Sequence, residues 1–275
     1  MYLKFPAHEL DLSSPVVMGV LNVTPDSFSD GGAWVEPAAA VAAAEDMVAA
    51  GAAIIDIGGE STRPGAAPVS AAEEIDRVVP VIEALAGLAA PISIDTSKPE
   101  VMRAAVAAGA RMINDVNALR APRALATAAA LDVPVCLMHM QGEPRTMQAA
   151  PRYDDVVEDV YQFRLSRVAA CEDAGLPRER LVIDPGFGFG KTLAQNLSLL
   201  RHLRRFEAAR LPLLVGVSRK SLIGAVLDRP VTERLPGSIA LACHAAAHGA
   251  HILRVHDVGP TRDALAMLAA VAAAD

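Results

Sequence analysis

Several things are scarce in this 275-residue sequence, and each shortage closes off a class of protein. There are three cysteines, Cys136, Cys171 and Cys243, an odd number at long intervals. That excludes a disulfide framework or a zinc spacing and fits reduced thiols in the cytoplasm. Positive charge is in deficit: 25 Lys and Arg face 32 Asp and Glu, a net −7. Non-specific nucleic-acid binding is therefore not expected, and any bound anion needs a local basic cluster. No apolar run follows the early Lys4, so the start does not read as a signal peptide. The alanine-rich stretches 38–53 and 264–274 are periodic and charged (Glu45, Asp46) or short, and read as helices rather than membrane spans. What remains is a globular, cytoplasmic composition, 52% hydrophobic and 21% charged, which excludes a disordered or fibrous chain.

Short runs rich in Val, Ile and Leu alternate with longer amphipathic runs rich in Ala, Glu and Arg. The short runs are 16–23, 53–57, 92–95, 112–116, 133–139, 181–184, 213–217 and 252–255. Helical patterns follow at 37–50, 71–88, 98–108, 121–131, 154–174, 193–209, 219–228 with 232–248, and 260–273. Eight β-then-α units predict a single-domain α/β TIM (β/α)8 barrel over residues 1–275. An open doubly wound sheet usually has fewer strands and a glycine-rich first turn. The short runs also end in polar residues: Asn22, Asp56, Asp95, Asn114, His139, Asp184, Ser218, and Arg254 with His256. In a barrel these ends form a ring at the C-terminal mouth, where active sites of this architecture sit.

Two loops are long and glycine-rich: 18–32, around Phe28, and 58–65, Gly-Gly-Glu-Ser-Thr-Arg-Pro-Gly. Such loops tend to be functional, and Arg63 between glycines suits anion capture. Asp95 and Asn114 close neighbouring strands and offer acceptors and mixed groups to a flat heterocycle, although each alone reads equally as a helix cap. The stretch 184–192, Asp-Pro-Gly-Phe-Gly-Phe-Gly-Lys-Thr, imitates nucleotide motifs and satisfies none, since Pro185 stands where a Walker loop needs glycine. Lys220, one of only four lysines, lies just past the seventh strand. It can serve as a hydrogen-bond donor or, with Arg219 beside it, as a Schiff-base amine. Arg254 and His256 alternate on the eighth strand and, with Arg63, predict a basic cluster suited to pyrophosphate. His139 reads as structural, with Met138 as an apolar wall.

Taken together, and in this order from Met18 to Asp257, these stretches resemble the dihydropteroate synthase family in its free-standing bacterial form. The resemblance implies condensation of 6-hydroxymethyl-7,8-dihydropterin diphosphate with 4-aminobenzoate, in folate biosynthesis, by a sulfonamide-target enzyme. It implies that Asp95, Asn114, Asp184 and Lys220 hold the pterin, with Met138 and Arg254 against its faces. Thr62, Arg63, Arg254 and His256 would bind the diphosphate, and Asn22 its magnesium ion, Mg2+. Phe28, Pro64, Phe189, Ser218, Arg219 and Ser221 would surround the aminobenzoate. Catalysis would rest on Arg63, Lys220, Arg254 and His256. The family implies a homodimer, and the acidic charge and the lack of a membrane span predict no nucleic-acid or membrane partner. A pterin-dependent methyltransferase, a Schiff-base aldolase and a non-catalytic pterin-binding protein are the alternatives.

Overall fold

The structure is a computed structural model that describes residues 1–6, 8–24, 37–61, 67–143 and 146–274. It opens with an antiparallel hairpin of β1 (Tyr2–Lys4) and β2 (Glu9–Asp11). Eight parallel strands follow: β3 (Val16–Asn22), β4 (Ile54–Gly58), β5 (Ile92–Asp95), β6 (Met112–Asp115), β7 (Val135–Met138), β8 (Leu181–Asp184), β9 (Leu214–Val215) and β10 (Ile252–Val255). The helices are α1 (Pro37–Ala49), α2 (Ala71–Ala84), α3 (Pro99–Ala108), α4 (Ala124–Leu131), α5 (Val156–Asp173), α6 (Leu193–Arg201), α7 (Ser221–Leu227), α8 (Leu235–Ala247) and α9 (Val258–Ala272). Among the described residues, β9 alone is followed by two α-helices, α7 and α8.

Strands β3 to β8 pair in sequence, and β9 and β10 lead back to β3. A parallel bridge between Ile183 and Leu213 closes the ring. The result is a TIM barrel, as the alternation of textures predicts. Period-two strands sort their residues between two cores. Val17, Ile55, Ile113, Leu137, Ile183 and Leu253 pack outward against the helices. Met18, Ile54, Met112, Cys136, Val182, Leu214 and Ile252 fill the barrel floor with Leu3, Phe5 and Leu12 from the hairpin side. Two positions further along the same inward rows the residues turn polar, at Asp56, Asn114, Asp184 and Arg254, and the inward row of β5 carries Ser93 and Asp95. That switch from apolar floor to polar mouth places the site.

Two local differences from the sequence reading have physical causes. The helix expected over 193–209 is α6 followed by a 3-10 segment, Leu203–Ala209. Its buried residues Leu203, Phe206 and Ala209 are spaced by three, and the tighter winding stacks them in one row. The run 213–217 keeps just two ladder residues, and the N–H of Leu213 before them donates to the His251 side chain at 3.1 Å instead of to a neighbouring strand. Among the described residues no helix is long and apolar enough to cross a membrane.

Candidate active site

Arg254 projects from β10 into the barrel, beside Gly216, where a Cβ would lie 3.8 Å from its own Cβ. Its Nε donates to Asp56 Oδ2 at 2.6 Å and its Nη2 to Asp95 Oδ2 at 2.8 Å. Asn114 Nδ2 donates to the same Asp56 oxygen at 2.9 Å. Three strands thus meet at one half-buried guanidinium, and Asp56 ties in a fourth through Asn114. Burial opposes its charge, but Asp56, Asp95 and Asp184 outweigh that and hold Arg254 above the usual arginine range. Burial pushes the Asp95 carboxyl up to about 7, against the attraction of Arg254 and with repulsion from Asp56, Glu74 and Asp115. Asp56 Oδ1, Asp95 Oδ1 and Ser93 Oγ are buried with no hydrogen-bond partner. Buried acceptors of this kind are costly unless a donor reaches them, so the mouth is built to receive N–H groups.

The opposite wall comes from β8 and the loop after it. Asp184 Oδ1 accepts the Gly186 amide at 2.7 Å. Lys220 Nζ donates to the Phe187 carbonyl and stands 4.7 Å from the centre of the Phe189 ring. Burial pulls the Lys220 ammonium down to about 8, with Asp184 opposing and Arg254 adding to the shift. Phe189 packs on an apolar cluster of Val116, Met138, Met140 and Met147. A flat ring would meet apolar surface on one side and the Asp95, Asn114 and Asp184 edge on the other. His139, next to Met138, turns away from the mouth and packs edge-on to Phe163, at 4.8 Å between centroids. Burial drives its pKa down to about 2, so it stays neutral.

On the rim, Ser218 Oγ accepts the His256 amide at 3.2 Å and lies 3.1 Å from its Nδ1. Arg219 is in the left-handed region, φ 56°, and pairs through Nε with Asp257 at 2.9 Å. Ser221 opens α7 in an exposed position. Asn22 ends β3 beside Gly58, where a Cβ would lie 3.7 Å from Asn22 Oδ1 and 3.6 Å from Asp95 Cβ. A side chain at 58 would fill the space between them. No group of three His, Cys, Asp or Glu converges as a metal site among the described residues.

The structure therefore brings Asp95, Asn114, Met138, Asp184, Phe189, Lys220 and Arg254 to one mouth, with Asn22, Ser218, Arg219, Ser221 and His256 around it. Phe28, Thr62, Arg63 and Pro64 lie outside the described residues. Arg254 meets Asp56 and Asp95 through two of its nitrogens, and the basic cluster expected with His256 includes Arg63, which lies outside the described residues. The residue that sequence reasoning left without a role is Asp56. Its signal was its place in the polar ring, but its partners lie 58 and 198 residues away along the chain.

The pterin binding enzyme family model matches residues 18–256. Dihydropteroate synthase of Escherichia coli K12 is 56% identical over 266 residues, covering 96% of this chain and 94% of that protein. Among solved structures, Yersinia pestis dihydropteroate synthase in a sulfonamide drug complex superposes with a TM-score of 0.96 at 52% identity, covering all of both chains. The Xanthomonas albilineans dihydropteroate synthase with 4-aminobenzoic acid superposes with a TM-score of 0.94 at 53% identity, covering 100% and 99%.

Proposed function

The chain belongs to the pterin-binding enzymes, among their dihydropteroate synthases, and from that premise we propose that it joins 4-aminobenzoate to 6-hydroxymethyl-7,8-dihydropterin diphosphate. The products are 7,8-dihydropteroate and pyrophosphate, and the step belongs to folate biosynthesis. The observation that carries this reading is the set of unpartnered buried oxygens on Asp56 and Asp95, facing an edge completed by Asn114 and Asp184. A pterin presents a guanidine-like row of N–H donors that such acceptors match. Met138 and Arg254 are assigned to its two faces and Lys220 to a ring acceptor.

The amine of 4-aminobenzoate is unprotonated at neutral pH and needs no strong base. Its lone pair forms the new C–N bond at the pterin methylene while the C–O bond to the diphosphate breaks. The nitrogen then gives up one proton and pyrophosphate departs. The electron-rich dihydropterin supports positive charge at that carbon, so the protein's work is to neutralise the leaving group and exclude water. We assign Thr62, Arg63 and His256 to the diphosphate, with Arg254 beneath it. Phe28, Pro64, Phe189, Ser218, Arg219 and Ser221 are assigned to the aminobenzoate, whose pocket also admits sulfonamides.

A magnesium ion is part of the proposal. Asn22 offers one amide oxygen, and among the described residues no group of three acidic or imidazole ligands converges, a donor set that would suit an ion keeping several waters. When bound, the ion would offset charge on the leaving group. The proposal extends to a homodimer, supported by exposed Leu193 and Leu197 on α6 and Val226 and Leu227 on its neighbour α7. Three unpaired cysteines support a cytoplasmic location.

Pyrophosphate release, measured with each substrate and magnesium omitted in turn, tests the reading. Release is expected only when all three are present. Binding of pterin without release would instead identify a binding module. Methyl transfer without release would identify the methyltransferase.

A further inference from the structure

Lys191 closes the glycine-rich stretch that imitates a phosphate loop, yet it faces away from the mouth and is 2% exposed. Its Nζ donates to three backbone carbonyls: Gly186 at 2.9 Å, Phe189 at 2.9 Å and His139 at 3.3 Å. It also lies 3.0 Å from His139 Nδ1. The polarity is the reverse of a phosphate cradle, where amides converge on an anion. Here carbonyls converge on an amine. The amides of Gly186, Gly188 and Phe189 are already donated, to Asp184 Oδ1, Asn196 Oδ1 and the Gly186 carbonyl.

The three glycines make this convergence possible. Gly186, Gly188 and Gly190 have φ of 68°, 81° and 61°. A Cβ on Gly186 would lie 1.9 Å from the His139 carbonyl oxygen, and one on Gly190 would lie 2.4 Å from that of Gln141. The loop therefore sits directly on the backbone leaving β7, with Lys191 behind it. Its front presents the Phe187 carbonyl to Lys220 and the Phe189 ring beneath the same ammonium. Gly188 leaves room for the Lys220 chain, whose Cδ would be 3.3 Å from a Cβ there.

We propose that Lys191 is a positioning residue for the amine substrate: by gathering the His139, Gly186 and Phe189 carbonyls onto one point, it fixes the loop segment that carries the Phe189 ring. This rests on the assignment of Phe189 to the aminobenzoate pocket. Asp184 belongs to strand β8 and Lys220 to the turn between β9 and α7, so the pterin contacts depend less on the loop.

The test is steady-state pyrophosphate release by Lys191→Met and Lys191→Gln, varying each substrate separately, with thermal unfolding alongside. Methionine keeps the length and removes every donor. Glutamine restores two donors and decides the matter on the same criteria if the methionine variant does not fold. The expected result is a KM for 4-aminobenzoate raised about tenfold or more while that for the pterin substrate stays within about threefold, with glutamine the milder variant. A lowered melting temperature with neither KM changed, or with both raised equally, would overturn the proposal and leave Lys191 a stability residue. Wild-type protein runs in the same assay. If it releases no pyrophosphate, the enzymatic reading fails, separately from any comparison between variants.

Discussion

Asp56 and Lys220 show how single residues set the chemistry of the mouth. The Asp56 side chain has no exposed surface, and one of its oxygens serves both Arg254 and Asn114. Asparagine in its place keeps the shape but removes the charge and gives Arg254 an amide oxygen. Asp56→Asn is expected to lower stability by about 1–3 kcal/mol in urea unfolding. It should also lower kcat/KM at least about tenfold, because Arg254 and Asn114 lose their common register. Normal kinetics would show that Asp95 alone holds Arg254. Lys220 makes a pH prediction. Its folded pKa of about 8 lies below the ordinary lysine value of 10.5, so between those values the unfolded chain binds more protons. Stability contributed by this group therefore rises with pH from about 8 to 10 and is flat below. Lys220→Met should show a shallower rise than wild type over that window in unfolding curves at stepped pH. Parallel curves would mean that the amine is solvated in the folded state.

At the scale of elements, the glycine loop after β8 is the least forgiving connection. Gly186→Ala forces a Cβ into the His139 carbonyl at a left-handed φ, and is expected to cost about 3 kcal/mol. Gly87→Ala, with nothing within 4 Å of the new Cβ, should fall within about 0.5 kcal/mol of wild type. Equal unfolding midpoints for the two variants would refute the close seating of the loop. The same loop marks how far the sequence can be read. Its glycines signal a close approach, but not that the approach is to 139–141 or that Lys191 faces inward. The strands are legible because each carries its own run of Val, Ile and Leu, and the polar ring because each run ends alike. The pairing of Arg254 with Asp56 and Asp95 is not legible, since it exists only once β10 closes against β3. The hairpin β1–β2 also escapes, because three-residue strands have too few positions to display a period. The 3-10 segment after α6 hides for a related reason: buried Leu203, Phe206 and Ala209, spaced by three, fit either winding.

The whole molecule divides its labour along the barrel axis. The mouth carries buried charge and unpartnered acceptors, which cost stability, and the floor offsets that with an apolar layer drawn from seven of the eight barrel strands. Leu3, Phe5 and Leu12 belong to that layer together with Met18, Met112 and Ile252, and all six are nearly or fully buried. The hairpin thus seals the end of the barrel opposite the substrates. Truncating Leu3, which has no exposed surface, is expected to leave a cavity in the floor and the mouth in place. Leu3→Ala is expected to lose about 2–5 kcal/mol. For a chain of this size that is a fall in Tm of roughly 4–20 °C, at about 2–4 °C per kcal/mol. At 25 °C, well below unfolding, kcat and both KM values should stay within about twofold of wild type, since conservation of mouth geometry governs them. Scanning calorimetry and pyrophosphate release on the same preparation check both halves. A variant that lost activity in proportion to stability would show that floor and mouth are mechanically coupled, and that the hairpin serves the reaction as well as the fold.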